Sequence, residues 1–261
     1  MRVTILGAGS SGGVPVPGTG WGKCDPHNPK NKRMRPSILI ETQGKVILVD
    51  TSPDLRAQLL SAQVTHIDAV LYTHAHADHL HGIDDLRGIN RAMDRPISMY
   101  ADRTTLGEIE GRFAYALAPL PEGAQGHYFK PTLEAHEITA GETFDVSGVS
   151  VTCFDQDHGR SRTLGFRIGD FAYSTDLVNL PEPAFDVLTG VDVWVVGVFT
   201  DRTHPTHVHV EKALRWIDRV APRAAVLSHL GPDLDFDVLE NSLPKSVSAA
   251  FDGYQISLPD R

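Results

Sequence analysis

Residues 74–79 read His-Ala-His-Ala-Asp-His and directly follow the apolar run Ala69-Val70-Leu71-Tyr72. Four histidines and three aspartates crowd into "LYTHAHADHLHGIDDLR". Such a stretch is either a solvated polar loop or one wall of a metal cage. His74 and His76 lie two apart, so in an extended turn both can point the same way. Asp78 and His79 are adjacent and must diverge. One segment can therefore serve two neighbouring cations. Imidazole and carboxylate donors suit Zn²⁺, Mn²⁺ or Fe²⁺.

A cage needs further walls, and the chain offers three. His158 lies in "CFDQDHG", Asp176 in "FAYSTD" and His229 in "AAVLSH", each where an apolar strand-like run ends. A carboxylate has two oxygens, so Asp176 can bridge both cations. Any one of these residues alone is better explained as a surface or satisfied core group. H-x-H-x-D-H with three strand-end partners is far more specific.

The rest of the chain alternates strand-like and helix-like segments. "RVTILGAG" reads as a strand entering a glycine turn, and "SILIETQGKVILVDTS" as a hairpin. "SPDLRAQLLSAQ" predicts a helix with Ser52 as N-cap and Pro53 at the first helical position. "IDAVLYT", "DVSGVSVTCF", "TLGFRIGDFAYSTD", "DVWVVGV" and "RAAVLSH" predict strands. "ADRTTLGEIEGRF" and "VHVEKALRWIDRVAP" predict helices. Between the first strand and the hairpin lies a long loop rich in Gly, Pro and Asn, carrying Lys23, Lys30, Lys32, Arg33 and Arg35. Length and pattern predict one mixed α/β domain over residues 1–261.

Composition narrows the partners. A formal net charge of −9 makes the surface repel nucleic acid and anionic membrane. Two distant cysteines, Cys24 and Cys153, fit a reducing compartment and exclude a four-cysteine zinc knuckle. With neither a secretory leader nor a long apolar run in view, a cytoplasmic location is the expectation. The glycine-rich "GSSGGVPVPGTG" can serve the site's rim or a homodimer contact.

"THAHADH", "QDHG", "YSTD" and "LSH" together resemble the metal motifs of the metallo-β-lactamase superfamily, and the likeness runs from "ILGAGSSGGVP" to "FDGYQISL". The resemblance implies an αββα sandwich, two mixed sheets flanked by helices. It implies two divalent ions, Zn²⁺ or Mn²⁺, with His74, His76 and His158 on one, Asp78, His79 and His229 on the other, and Asp176 between. Asp50, in "ILVDTS", matches an aspartate that orients a ligand rather than binding metal.

Within the superfamily, "THPTHVHVEKALRWI" is most similar to the PhnP-like phosphodiesterases and more distantly to tRNA 3′-processing endonucleases. The implied reaction is hydrolysis of a small nucleotide phosphodiester, such as a 2′,3′-cyclic nucleotide, by a hydroxide shared between the ions and held toward Asp78. A protonated His207 would aid the leaving group. His204 is a substrate candidate and His209 a structural residue. Arg33, Arg35 and Arg87 are candidate phosphate contacts, and Trp21 and Tyr72 candidate base-stacking residues. Two departures stand out. The early loop has Cys24 and His27 but no cysteine cluster for an extra zinc, and no long Lys-rich arm for tRNA is present. A tRNA endonuclease and a thioester or lactam hydrolase remain as alternatives.

Overall fold

The computed structural model describes residues 1–124 and 126–259. The first part of the chain supplies β1 (Arg2–Gly7), β2 (Ser37–Thr42), β3 (Lys45–Val49), β4 (Ala69–Leu71), β5 (Ile97–Ala101) and β6 (Leu133–Glu137). The second supplies β7 (Thr143–Val146), β8 (Val149–Asp157), β9 (Arg162–Ile168), β10 (Phe171–Ser174), β11 (Val193–Gly197), β12 (Ala224–Ser228) and β13 (Val247–Ala249). The last strand, β14 (Gln255–Ser257), returns to the first sheet. Among the described residues the sheet orders are β14-β1-β2-β3-β4-β5-β6 and β13-β12-β11-β10-β9-β8-β7. Both are mixed. β3 to β6 run parallel, as do β10 to β13, while the β1–β2–β3 and β7–β8–β9–β10 pairs are antiparallel.

The near-continuous apolar runs are explained by burial on both faces of each sheet. Val3, Ile5, Ile38, Ile40, Ile47 and Val49 meet Val193, Val195 and Phe166 in the core between the sheets. Their alternates Leu6, Leu39 and Leu48 face outward under α1 (Leu55–Ser61), α2 (Ala77–Leu80), α3 (Leu86–Met93) and α4 (Arg103–Leu117). Trp194, Val196 and Leu227 face the other way, under α5 (Glu182–Leu188), α6 (Val210–Val220) and α7 (Phe236–Ser242). The layers are thus helix, sheet, sheet, helix, as the family resemblance implies. No helix among the described residues is long and apolar enough to cross a membrane.

The predicted helix at Ser52 begins later, at Leu55 with Asp54 before it. Residues 51 and 52 are pinned elsewhere: Thr51 N–H donates to His79 O at 2.7 Å, and Gly82 N–H to Thr51 O at 2.9 Å. A Cβ on Gly82 would fall 1.9 Å from Ser52 O, so glycine is required for this close approach. Ser52 Oγ instead accepts from Asp54 N–H at 3.1 Å, closing the turn that precedes the helix.

The long early loop is held by buried polar residues. Asn31 is fully buried, and its amide donates to Asp25 O at 3.1 Å and Asp235 Oδ2 at 2.6 Å. Its Oδ1 accepts from Phe236 N–H at 2.7 Å and Arg33 Nη2 at 3.1 Å. Arg33 is a correction. The residue is 2 % exposed and its guanidinium donates to Leu234 O at 2.8 Å and Gly231 O at 3.3 Å, so it fastens the loop rather than meeting substrate. Cys24 is buried beside it, with Sγ 3.4 Å from the carbonyl oxygens of Pro232 and Leu234, whereas His27 is exposed.

Truncating Asn31 strands several buried partners at once. Asn31→Ala should cost about 2–4 kcal/mol in urea denaturation. Arg2→Ala, which breaks the exposed Arg2–Glu41 pair, should change stability by less than about 1 kcal/mol. Equal effects of the two would contradict this picture of the loop.

Candidate metal centre

Every candidate ligand sits at a strand end or in the turn beyond one. His74 and His76 follow β4, and Asp78 and His79 open α2. His158 follows β8, and Asp176 and His229 lie just past β10 and β12. Asp50, Asp176 and His229 have φ of 64°, 47° and 58°. This left-handed region is uncommon for residues with a side chain and carries strain of order 1–3 kcal/mol each. It turns the chain out of the sheet while aiming the side chain along the sandwich edge.

Two groups result. His74, His76, His158 and Asp176 place one potential ligand atom each within 4.8 Å of one another, and so do Asp78, His79, Asp176 and His229. Asp176 belongs to both. Its Oδ2 lies 3.3 Å from His74 Nε2, 3.4 Å from His79 Nε2 and 3.6 Å from His158 Nε2, and its Oδ1 lies 2.7 Å from His229 Nε2. Asp78 Oδ2 is 3.2 Å from His79 Nε2 and 3.6 Å from His229 Nε2. All but His76, which reaches solvent, are buried.

The donors fit divalent cations. His74 Nε2, Asp78 Oδ2, His79 Nε2, Asp176 Oδ1 and His229 Nε2 are buried without a hydrogen bond among the described residues. His229 and Asp176 approach each other to 2.7 Å as an ion pair. Buried polar atoms are normally satisfied, so five orphans aimed at one space mark a site for a ligand. The opposite ring nitrogens are fixed. His79 Nδ1 lies 2.6 Å from Asp50 Oδ2, and His158 Nδ1 lies 2.7 Å from Thr206 O. A carbonyl only accepts, so His158 carries its proton on Nδ1 and leaves Nε2 as a lone pair. Thr73 Oγ1 donates to Asp50 Oδ2 at 2.8 Å and stands 3.0 Å from His74 Nδ1, orienting that ring through the same carboxylate.

Electrostatics agree. Burial opposes charge on His79, yet Asp78, Asp50 and Asp176 outweigh it and hold its pKa well above the ordinary value. His229 is likewise raised to about 9, burial being overcome chiefly by Asp176. Burial opposes ionisation of Asp176, but His229 and His79 keep its pKa well below the carboxylate range. Burial lowers the pKa of His74 and His158. Protons on His79 and His229 thus balance the carboxylates where cations would otherwise do so.

His207 enters from the segment before α6, its Nε2 3.7 Å from Asp176 Oδ1 and its ring centroid 4.8 Å from that of His158. Its Nδ1 lies 2.8 Å from Thr206 Oγ1 and 3.3 Å from His204 Nδ1. The half-buried Phe199 packs 5.1 Å from both rings. His209 is the residue before α6 and its backbone bridges Thr200.

Several expected contacts fall elsewhere. Arg35 pairs with Asp54 through Nη2–Oδ1 at 2.8 Å and Nε–Oδ2 at 2.9 Å, which closes the loop onto the turn before α1. Arg87 is exposed on α3 and paired with neither Asp84 nor Asp85 among the described residues. Tyr72 is fully buried with its hydroxyl 3.0 Å from Thr51 Oγ1, so it cannot stack on a base. A cavity of about 380 Å³ opens beside His74 and His76, and Arg112, Glu108, Thr104, Arg160 and Arg162 line it. Arg160 and Arg162 directly follow "DHG", a signal available in the sequence. Nothing in the pattern of α4 marks its side of the cavity. A larger cavity of about 470 Å³ lies beside α1 and shares no residue with either group.

A family model described as "Beta-lactamase superfamily domain" matches residues 45–230. The chain belongs to the metallo-β-lactamase superfamily of hydrolases. A solved diphosphatase of the PhnP family is similar over 99% of this chain and 98% of its own, with TM-score 0.88 and 28% identity. An octanoyltransferase of Porphyromonas gingivalis is 33% identical over 100% of this chain and 52% of its own length. A ribonuclease Z of Bradyrhizobium diazoefficiens is 29% identical over 53% of this chain and 45% of its own. The chain thus spans about half the length of these two curated relatives.

Because His229 is protonated below about pH 9 in the cation-free protein, cation binding must displace protons. Adding Zn²⁺ at pH 7 in weak buffer should release protons, and affinity should fall as pH falls. Uptake with no acidification would contradict the assignment.

Proposed function

We propose that this chain is a dinuclear phosphodiesterase acting on small nucleotide phosphodiesters, 2′,3′-cyclic nucleotides among them. One observation carries the reading. Two ligand groups share Asp176, and an additional histidine, His207, faces that same carboxylate at 3.7 Å without belonging to either group. The similarity to a PhnP-family diphosphatase supports it, as do relatives named ribonuclease, since both names denote cleavage at phosphorus.

His74, His76, His158 and Asp176 would hold one cation, and Asp78, His79, His229 and Asp176 the other. Zn²⁺ or Mn²⁺ there would supply Lewis acidity to the phosphoryl oxygens and lower the pKa of water toward ~7. Asp50 keeps the His79 proton on Nδ1 and its lone pair toward the site. Asp78, ionised and buried, accepts a hydrogen bond from the attacking water.

The role expected of His207 requires that it carry a proton when the leaving group departs. Burial pushes its pKa down to about 3, despite the raising effect of Asp176. It is therefore neutral at pH 7 in the free protein. The Thr206 hydroxyl can donate to Nδ1, which leaves the proton on Nε2, facing the site. From there His207 donates a hydrogen bond to a phosphoryl oxygen. An anionic substrate beside the ring favours its charged form, so the proton passed to the leaving alkoxide is taken up with the substrate. His204 Nδ1 lies 3.3 Å from His207 Nδ1, and its proximity adds to the lowering of the His207 pKa.

An acyl ester or thioester hydrolase is the second reading, favoured by the octanoyltransferase relative that matches the whole chain. A panel separates the readings: bis-p-nitrophenyl phosphate, 2′,3′-cyclic nucleotides, precursor tRNA and an octanoyl thioester, each with cation-replete protein. Fast turnover of cyclic nucleotides supports the proposal, and turnover of the thioester or tRNA alone refutes it. His207→Ala should lower kcat about 100-fold or more with bound metal unchanged. Undiminished turnover would remove His207 from the mechanism.

A further inference from the structure

Asp176 belongs to both ligand groups and sits in a left-handed turn, and something must hold that turn. Its side chain does not, because it faces the imidazoles of the site rather than the backbone around the turn. The β9–β10 ladder does not either, since its register ends at Tyr173↔Phe166, three residues short. The backbone carbonyls of Thr175 and Asp176 are met instead by two side chains. Thr163 Oγ1 donates to Asp176 O at 3.0 Å and lies 3.4 Å from Thr175 O. Gln156 Nε2 donates to Thr175 O at 3.1 Å and to Thr163 Oγ1 at 3.0 Å.

Gln156 and Thr163 face each other across β8 and β9 and are both fully buried. Apolar side chains, Phe154 and Phe166, occupy nearby positions on the same two strands. A polar pair there costs desolvation unless it satisfies specific partners. Here the partners are the two carbonyls at the strained turn. The same strand also reaches the first sheet, where Leu164 N–H donates to Thr73 O at 2.9 Å, one residue before His74. Residues 163 and 164 therefore tie the Asp176 turn of one sheet to the His74 turn of the other. The spacing between the two halves of the site is set where β9 passes between them.

We propose that Gln156 and Thr163 are positioning residues that lock the Asp176 turn, so that a single carboxylate serves both cation positions. This rests on the two-cation reading above. Losing the Thr163 hydroxyl frees the carbonyl of Asp176, lets the turn relax, and weakens both positions together.

The test is Zn²⁺ titration of full-length protein against a chromogenic chelator, with thermal melting of the cation-free protein as the fold control. Wild type should take up two equivalents. Thr163→Val keeps the shape and removes the donor. It should bind both ions about 10–100-fold more weakly and lower kcat with KM little changed. Thr163→Ser restores the hydroxyl and should recover most of the affinity. Folded Thr163→Val with wild-type affinity would overturn the proposal, as would Thr163→Ser that is as weak as Thr163→Val. If Thr163→Val does not fold, Gln156→Met takes its place, and wild-type affinity in that variant is equally fatal. Wild type holding fewer than two ions would instead bring down the two-cation reading and this inference with it. Two ions held normally by every variant would sink the inference alone.

Discussion

The site depends on one carboxylate at the meeting point of two sheets. Asp176 lies within 3.6 Å of His74, His79, His158 and His229, which come from three different segments. Without a countercharge, so many buried donors and acceptors would be costly. In the protein alone, protons on His79 and His229 supply it. A divalent pair would do so better, because each cation satisfies several orphaned atoms at once. The strained φ of Asp50, Asp176 and His229 is kept because each turn delivers one side chain to this edge.

The fold follows from the same requirement. Strands that are apolar on both faces can only be stacked, so the two sheets bury each other and both outer faces need helices. The parallel strands β3, β4, β10, β11 and β12 then end along one edge. Ligands in open α/β sheets gather at the carboxyl ends of parallel strands, and here two sheets contribute such ends to one cleft. The histidine segment before α6 and the cavity beside His76 both border that site.

Much of this was legible in the sequence, because the relevant signals are local. H-x-H-x-D-H after "AVLY", and a His or Asp after each of three apolar runs, mark strand ends carrying metal-competent groups. What was not legible depends on distant contacts. Arg33 looks like a phosphate contact until Gly231 and Leu234, about two hundred residues away in the chain, surround it with carbonyls. Tyr72 looks available until Thr51 and the helices cover it. The helix at Ser52 starts late because Thr51 pairs with His79 and Gly82. Strands β5, β6, β13 and β14 are short or lack a continuous apolar run and leave little periodicity to read. His207 was visible, but its charge was not. Protonation depends on burial and on neighbours that only the folded chain brings together.

Anomalous diffraction tests the central claim most directly. Crystals of protein saturated with Zn²⁺, measured on both sides of the zinc edge, should show two anomalous peaks flanking Asp176. One should lie among His74, His76 and His158, and the other among Asp78, His79 and His229. A map with no peak there, or with a single peak remote from Asp176, would contradict the account.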